Sequence, residues 1–405
     1  MKQVIRYSLF ALTILSSFLS CKKDNDDSTV EQEIPVTALY SLTGNWSELG
    51  VASKAASEIA VEEINADFMS RGLPYRFTLN VIDTKLDPSI ALSSMSSIIA
   101  ANSRLIIGPQ SSAEVAAIRA TADSLGLLVV SQGSTASSLS IANDAVFRYC
   151  PGDQIEGAAV SSTMYTSGKR AIVTVARNDA GNLGLQTSVG SHFQSLGGVV
   201  ASAGSYAATE TDFTAVLSMI RNQLVVWSSV YPSSQTAVYL ASFDEAIQLF
   251  HQAAGDPVLE GVSWYGGDGF IKDAQLITDT TASGFAFRTS FFSPEFGLPV
   301  SSQPVWQALV DKIVLRSGVS PDAFALAAYD ALKVMAKTVA ANGGVPASGA
   351  TLQTSFFNQS NQYVGATGAV MLNAAGDRAS GSFDYWGISQ RSDGTYYWTK
   401  VGQSQ

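Results

Sequence analysis

From about residue 34 onward, short apolar runs alternate with stretches whose apolar positions recur at three- and four-residue spacing. That is the signature of buried parallel strands joined by amphipathic helices. Residues 37–42 read as a first strand; Ala52, Ala55, Ala56, Ile59, Ala60 and Ile64 then share one helical face, and residues 77–83 read as a second strand. A helix through Leu92, Met95, Ile98 and Ile99, a strand over 104–107, a helix over 113–125 and a strand over 127–130 complete one set. Ser111 or Ser112 stands at the N-cap of that last helix with Glu114 in its first turn, where a hydroxyl and a carboxylate satisfy otherwise free amides.

The pattern then restarts. Strands over 171–176, 199–203, 236–240 and 262–265 alternate with helices near 185–196 and over 213–221 and 245–254. Beyond Gly284 the residues predict a strand over 285–291, helices over 305–316 and 322–341, and aromatic-rich strands over 384–389 and 396–401. Two successive sets predict an α/β protein of two doubly wound parallel-sheet lobes. Internal similarity at periods of about 20 to 50 residues is not evident, which argues against solenoids and propellers.

The first 33 residues are of another kind. Lys2 and Arg6 precede an apolar run over 9–19 that is too short to span a bilayer comfortably, so residues 1–20 read as a secretory signal peptide. The run ends at Phe18-Leu19-Ser20-Cys21, which resembles a bacterial lipobox whose cysteine is lipidated, although Phe18 stands where an aliphatic residue is usual. Ordinary signal-peptidase cleavage, with Cys21 unmodified, is the alternative. Residues 21–33 read as an acidic tether, and the KKDNDDSTV stretch also resembles the surface-export signal of some lipoproteins. The expected place is the cell envelope, with the chain lipid-anchored to a membrane on its periplasmic or cell-surface side. Cys150 is the only cysteine beyond Cys21, which excludes a disulfide framework and a thiolate metal cluster; between Tyr149 and Pro151 it reads as a small buried hydrophobe.

The 405 residues are 46% hydrophobic and 14% charged, enough for two lobes with cores of their own and unlike a disordered chain. Lys plus Arg number 24 against 34 Asp plus Glu, and the net charge of −10 becomes −12 without the first 20 residues, whose only charges are Lys2 and Arg6. Such a surface repels phosphate backbones, so nucleic acid is not an expected partner.

Several segments, each common alone, occur in an order that is specific: SLTGNWSELG, EEINA, DTKLDP, LIIGPQSSAEV, VVSQGSTASSLS, YGGDGF and AAYDALKVMA. Together they resemble the type 1 periplasmic binding proteins, in the branched-chain amino acid (Leu/Ile/Val) binding branch of ABC transport systems, over residues 34–400. The resemblance implies two lobes crossed three times by the chain, near Gly152, Gly284 and Gly365. Lobe I would then comprise 34–152 and 285–364, and lobe II 153–284 and 365–405. It also implies a small amino-acid-like or other polar ligand captured by hinge closure, ABC permease subunits as partners, and no cofactor. A ligand-binding sensor that signals to a membrane partner uses the same fold and is the alternative.

Ligands of open α/β sheets sit outside the carboxyl ends of the strands, where helix N-termini present free amides. Three loops qualify in the first lobe: Gly44 to Ser47, where Trp46 offers a flat apolar surface; Pro109 to Ser112, with the hydroxyls of Ser111 and Ser112; and Gln132 to Thr135, with Gly133, Ser134 and Thr135. By the resemblance, Ser112, Gly133 and Thr135 bind the carboxylate and amino group of an amino acid; the alternative is that the serines only cap a helix and Thr135 only shapes a turn. In the second lobe Asp268 of YGGDGF matches the acidic residue that pairs with the ligand's ammonium, though the family's residue is commonly Glu, and a solvated loop aspartate is the alternative. Two tyrosines usual in the family are replaced, one by the Asn178, Asp179, Asn182 segment and the other by Ser242 or Phe243, which points to a more polar ligand surface.

Enzyme motifs are missing: no G-x-S-x-G elbow, no H-E-x-x-H and no Walker A occur. His192 and His251 fall inside predicted helices, away from the strand-end loops, so neither is expected to be a base or metal ligand. Binding without catalysis and without a metal is the expectation.

Overall fold

The computed structural model describes residues 32–404; the leader, Cys21 and most of the tether lie outside the described residues. The chain opens with β1 (Gln32–Tyr40), α1 (Ser47–Ser70), β2 (Tyr75–Asp83), α2 (Pro88–Ala100), β3 (Leu105–Ile107), α3 (Ser112–Leu125), β4 (Leu128–Ser131) and β5 (Val146–Pro151). The strands β3 and β4 are buried along their whole length, as unbroken apolar runs covered by helices on both faces must be. Asp87 caps α2 just ahead of Pro88, and Ser111 and Glu114 form a reciprocal capping box that starts α3.

After β5 the chain enters the second lobe as α4 (Asp153–Thr166), β6 (Ala171–Arg177), α5 (Ala180–Ser195), β7 (Val199–Tyr206), α6 (Thr214–Trp227) and β8 (Thr236–Ala241). It continues as α7 (Ala246–Ala253), α8 (Pro257–Glu260), β9 (Ser263–Gly266), α9 (Ala274–Thr278), α10 (Thr280–Arg288) and β10 (Phe292–Phe296). The return supplies α11 (Gln303–Ser317), α12 (Ala323–Asn342), α13 (Gly349–Ser360), the small hairpin β11 (Val364–Gly365) and β12 (Gly368–Ala369), and β13 (Asp377–Arg378). Two antiparallel strands close the chain, β14 (Phe383–Gln390) and β15 (Tyr396–Gln403).

Among the described residues, six strands form the first sheet in the order β13-β5-β4-β3-β1-β2, all parallel, and seven form the second in the order β15-β14-β10-β9-β8-β6-β7. Each sheet is covered on both faces. In the first lobe one core gathers Val36, Ile107, Val130 and Tyr149 against α1, α12 and α13, and another gathers Ile106, Val129, Ile98 and Ile118 against α2 and α3. In the second, one core centres on Phe250, Trp264 and Phe285, and another on Ile172, Leu185 and Tyr239.

Three expected boundaries differ. Residues 285–288 belong to α10, whose Phe285 packs with Phe250 and Trp264, and the strand begins only at Phe292. An apolar run at helical spacing and one at strand spacing are hard to tell apart over so few residues. Because β10 pairs with β9 and β14 in the second sheet, the chain leaves that lobe after Phe296, not near Gly284. It returns after β13, which pairs with β5 in the first sheet, so Gly365 also lies before the crossing. Gly365 instead abuts Asp330 of α12, where a Cβ would come within 2.1 Å of the carboxylate. Among the described residues no helix is long and apolar enough to cross a membrane.

Candidate functional site

The loops that leave the carboxyl ends of β1, β3 and β4 meet those that leave β6, β8 and β9, and the switch points of the two sheets, beside β1 and β6, face this junction. Trp46 is the firmest link. Its backbone is left-handed, with φ 56° and ψ 28°, and its ring stacks on Phe243 of the second lobe at 4.8 Å between centroids while Phe324 of α12 stands edge-on at 6.1 Å. The Trp46 amide donates to Asp244 at 2.5 Å, and Asn45 Nδ2 donates to Glu245 at 3.2 Å. Glu245 also accepts from Arg177 and Tyr206, and the Arg177 guanidinium lies over the Phe243 ring at 4.9 Å. A three-layer stack of Trp46, Phe243 and Arg177 therefore clasps the two lobes together.

Behind the clasp lie the hydroxyls of the first lobe. Ser112 Oγ and Ser134 Oγ are 3.0 Å apart, and Ser112 Oγ also accepts the Ala136 amide at 3.1 Å. Gly181, in the first turn of α5, sits so near that a Cβ there would meet Ser112 Oγ at 3.4 Å. Gly133 permits the β4 loop to pass under Trp46: a Cβ would come within 2.9 Å of the Gln110 carbonyl and 3.3 Å of the indole. Thr135 is buried, with its carbonyl accepting from the Asp153 amide at 2.9 Å and its hydroxyl beside the Asp153 carboxyl.

The other side is acidic. Asp268 is buried, its amide donating to Glu156 Oε1 at 3.2 Å. Glu156 and Asp153 lie one turn apart on α4, and neither exposes any surface. Asp153 Oδ2 accepts the Ser137 amide at 3.1 Å; among the described residues Asp153 Oδ1, Glu156 Oε2 and the Tyr239 hydroxyl have no partner of good hydrogen-bond geometry, although the Asp268 carboxyl stands beside that of Glu156 as the Thr135 hydroxyl does beside Asp153. Burial raises Asp153 to about 6, and burial together with the facing carboxylates pushes both Asp268 and Glu156 well up. The paired glycines of YGGDGF are what let these groups meet: a Cβ on Gly266 would lie 2.2 Å from Ser293 Oγ, and one on Gly267 would lie 3.2 Å from the Tyr239 hydroxyl.

A narrow space beneath Trp46 is lined by Leu49, Gly269, Lys272 and the carboxylates of Glu48, Asp244, Asp273 and Asp322. Burial, with neighbouring acids adding to it, raises Asp244 to about 8 and Asp322 to about 7. Among the described residues no three His, Cys, Asp or Glu side chains are grouped so as to hold a metal ion.

The nine expected ligand-binding positions are thus divided by the structure. Trp46, Ser112, Gly133, Ser134, Thr135 and Asp268 come together at the lobe junction. Ser111 is spent on its capping box with Glu114. Ser242 is buried beside Gly269 and Phe243. Asn178 is exposed, its amide tied to the Tyr206 carbonyl at 2.8 Å; Asp179 caps α5 through Asn182 and pairs with Arg177, so this segment builds a helix start and not the polar ligand surface expected of it. Cys150 is buried against the Ser134 carbonyl at 3.3 Å. His192 lies within α5 with Nδ1 on the Ser188 carbonyl, and His251 lies within α7 beside Asp279. Asp153, Glu156, Tyr239 and Asp244 were not anticipated. For the first two, Asp and Glu three apart at a helix start just past Gly152 were the available signal.

Solved structures resemble this one across nearly the whole chain. A leucine binding protein of Thermotoga maritima aligns with a TM-score of 0.75 at 21% identity, covering 92% of this chain and 99% of that one. A branched-chain amino acid transporter substrate binding protein of Streptococcus pneumoniae, solved in complex with isoleucine, aligns with a TM-score of 0.69 at 18% identity, over 91% and 100% of the two chains. A solute binding protein of an ABC transporter from R. palustris, solved in complex with benzoate, aligns with a TM-score of 0.70 at 19% identity, over 92% and 96%. In sequence, an uncharacterized protein of Methanocaldococcus jannaschii is 26% identical over 97% of this chain and 96% of its own. The fold is that of the type 1 periplasmic binding proteins, as the ordered segments implied. Residues 52–390 match the family described as receptor family ligand binding region, and the chain belongs to that family.

Proposed function

We propose that this chain is the extracytoplasmic solute-binding component of an ABC-type uptake system, held on a membrane through a lipid on Cys21, and that it captures a small amine-bearing ligand between its lobes. The observation that carries the reading is the pair of buried, unpartnered carboxylate oxygens on Asp153 and Glu156 beside Asp268. A buried acceptor without a donor costs on the order of 1–3 kcal/mol, more when charged, and an ammonium supplies both donors and countercharge. Ser112, Ser134 and Thr135 face the acids with hydroxyls and the N-terminus of α3, a suitable cradle for a carboxylate at the far end of the same ligand.

The first lobe would hold the ligand before closure and the second would complete the site, so the closed state is favoured by the contacts that the ligand gains on lobe II. Nothing in this scheme turns a substrate over, so the reading is binding without catalysis. Sensing is the second reading, favoured by the receptor description of the matched family. In it the same closure would signal to a membrane partner.

A thermal-shift screen against amino acids, short peptides, sugars and aromatic carboxylates tests the reading. A ligand at one hundred times its Kd should add about 2.7 kcal/mol to stability. An amine-bearing ligand should raise Tm, and Asp268→Asn should remove the shift. Stabilisation by amine-free compounds alone would overturn it.

A further inference from the structure

We propose that the first lobe carries a second small-molecule site, remote from the lobe junction, which takes a primary ammonium on a short apolar body through Asp144. The site is a pocket of about 310 Å³ between the amino end of β5, the helix α13 and the turn over 374–376 that leads into β13. That volume lies at the lower end of the range of ligand pockets, about 300–1,000 Å³. Position separates it from the cleft. The lobe junction gathers loops at the carboxyl ends of the strands, whereas residues 143–147 enter β5 at its amino end, and the six residues of that strand extend over about 17 Å.

Asp144 is the charged group at the wall, and it is nine-tenths buried, with 9% of its surface exposed. Its Oδ1 accepts the Val146 amide at 3.0 Å, while Oδ2 is also buried and has no hydrogen-bond partner among the described residues. Arg119, the cation that acts on it, is engaged with Asp123 at 3.2 Å. Burial lifts Asp144 to about 6, with Asp123 and Asp377 adding to the rise and the Val146 amide and Arg119 opposing it, so the carboxyl is ionised at pH 8. A buried charged acceptor without a donor is costly, and an ammonium supplies donor and countercharge together.

The rest of the wall selects the body of the ligand. Val146 and Phe147 of β5, Ala350 and Phe357 of α13, and Ala375 of the turn give it an apolar lining. Phe147 is held in place from two sides: Phe356 stands edge-on at 5.1 Å between centroids, and Gly376, with φ 75°, lies so close that a Cβ there would come within 2.9 Å of the Phe147 ring. No cationic side chain lines the pocket, so the carboxylate of an amino acid would find no partner there. The class that fits is therefore an amine with a hydrocarbon body and no acid group.

Calorimetry at pH 8 on the full-length chain, with phenethylamine and its neutral counterpart 2-phenylethanol, tests this. Phenethylamine should bind with a Kd below about 1 mM, and 2-phenylethanol at least about tenfold more weakly. Asp144→Asn keeps an acceptor for the Val146 amide and should weaken phenethylamine at least about tenfold. Ala350→Leu, at an exposed position of α13, adds volume to the pocket wall without opening a hole in the core, and should block the amine even where the Asp144 variant fails to fold. Asp268→Asn, in the cleft, should leave phenethylamine affinity within about twofold. Undiminished binding by both Asp144→Asn and Ala350→Leu, with loss in Asp268→Asn, would overturn the second site while leaving the cleft reading in place. Equal affinity for 2-phenylethanol, or no binding of phenethylamine at about 1 mM, would overturn it as well.

Discussion

Asp153 Oδ2 occupies the space that a side chain on Gly184 would need: a Cβ built on Gly184 would lie 2.2 Å from that oxygen and 3.8 Å from the Ala136 Cα. The glycine sits within α5, where replacing Gly by Ala ordinarily stabilises a helix by up to about 1 kcal/mol. Here the propensity gain is opposed by the displacement of a buried carboxylate that joins the two lobes. Gly184→Ala is expected to lower stability by about 1–3 kcal/mol in a denaturant titration and to weaken ligand binding. Gly190, on the same helix, is the control. A Cβ there meets only Val200 Cγ1 at 3.6 Å, so Gly190→Ala should be neutral or stabilising.

The buried acids set a pH dependence with a definite sign. Folding lifts Asp153 to about 6, Asp322 to about 7 and Asp244 to about 8, because burial penalises their charged forms. Between the ordinary aspartate value and those raised values the folded chain binds more protons than the unfolded chain, so stability falls as pH rises. The ligand-free protein should therefore lose Tm between about pH 4 and pH 8. Glu63 acts oppositely: Lys312, Tyr329 and Lys333 outweigh its burial and hold it near 2, so its contribution fades only when pH falls below the ordinary glutamate value. An amine-bearing ligand needs the carboxylates charged, so its Tm shift should grow from pH 5 to pH 8. A ligand-free Tm that rises across this range would contradict the buried placement of these acids.

How much of this was legible from the residues differs between fold and site. Continuous apolar strands such as Leu105–Ile107 and Leu128–Ser131, and helices such as α12, show in the spacing alone because burial on both faces imposes the pattern. The short β13 does not show, because two residues carry no period, and what seats it is a long-range ion pair. At the site, Trp46, Ser112, Gly133 and Thr135 are legible because strand-end loops are where ligands meet open sheets, and Asp268 because the resemblance implies an acidic residue in YGGDGF; the structure brings these positions together at the lobe junction. Asp153, Glu156 and Tyr239 were missed for a physical reason. They lie at a helix start and inside a strand, and only the glycines at 184, 266 and 267 let those segments close on one another. A tyrosine was sought after the end of β8, whereas Tyr239 reaches the site from within the strand.

That ion pair gives a further expectation. Arg148 Nε and Nη2 reach the two oxygens of Asp377 at 2.5 and 2.6 Å, Nη1 donates to the Ala136 carbonyl, and the Ser140 hydroxyl donates to Asp377. Both side chains are almost wholly buried, and the pair seats β13 beside β5 just before the last passage between lobes. Removing one partner leaves a buried charge uncompensated, at a cost of about 3–5 kcal/mol. Asp377→Asn should lower stability by that order in equilibrium unfolding. A change under about 1 kcal/mol would show that the pair is dispensable.

The lobe clasp separates closure from folding. Trp46 is packed between Phe243 of one lobe and Phe324 of the other, so truncating it removes contacts of the closed state while leaving the sheets and their own cores intact. A stacked aromatic pair contributes about 0.5–1.5 kcal/mol beyond the area it buries, and burial of a large ring adds a few more. A ligand that binds the closed form is weakened by the fraction of molecules able to close. Trp46→Ala should therefore reduce affinity by about ten- to a hundredfold while shifting the ligand-free Tm little, and small-angle scattering should show a larger radius of gyration. Asn45→Ala, which loses one partly exposed hydrogen bond to Glu245, should cost only a few-fold. If Trp46→Ala lowers the ligand-free Tm strongly and leaves affinity unchanged, the ring belongs to the first lobe's core and the clasp is not what holds the lobes closed.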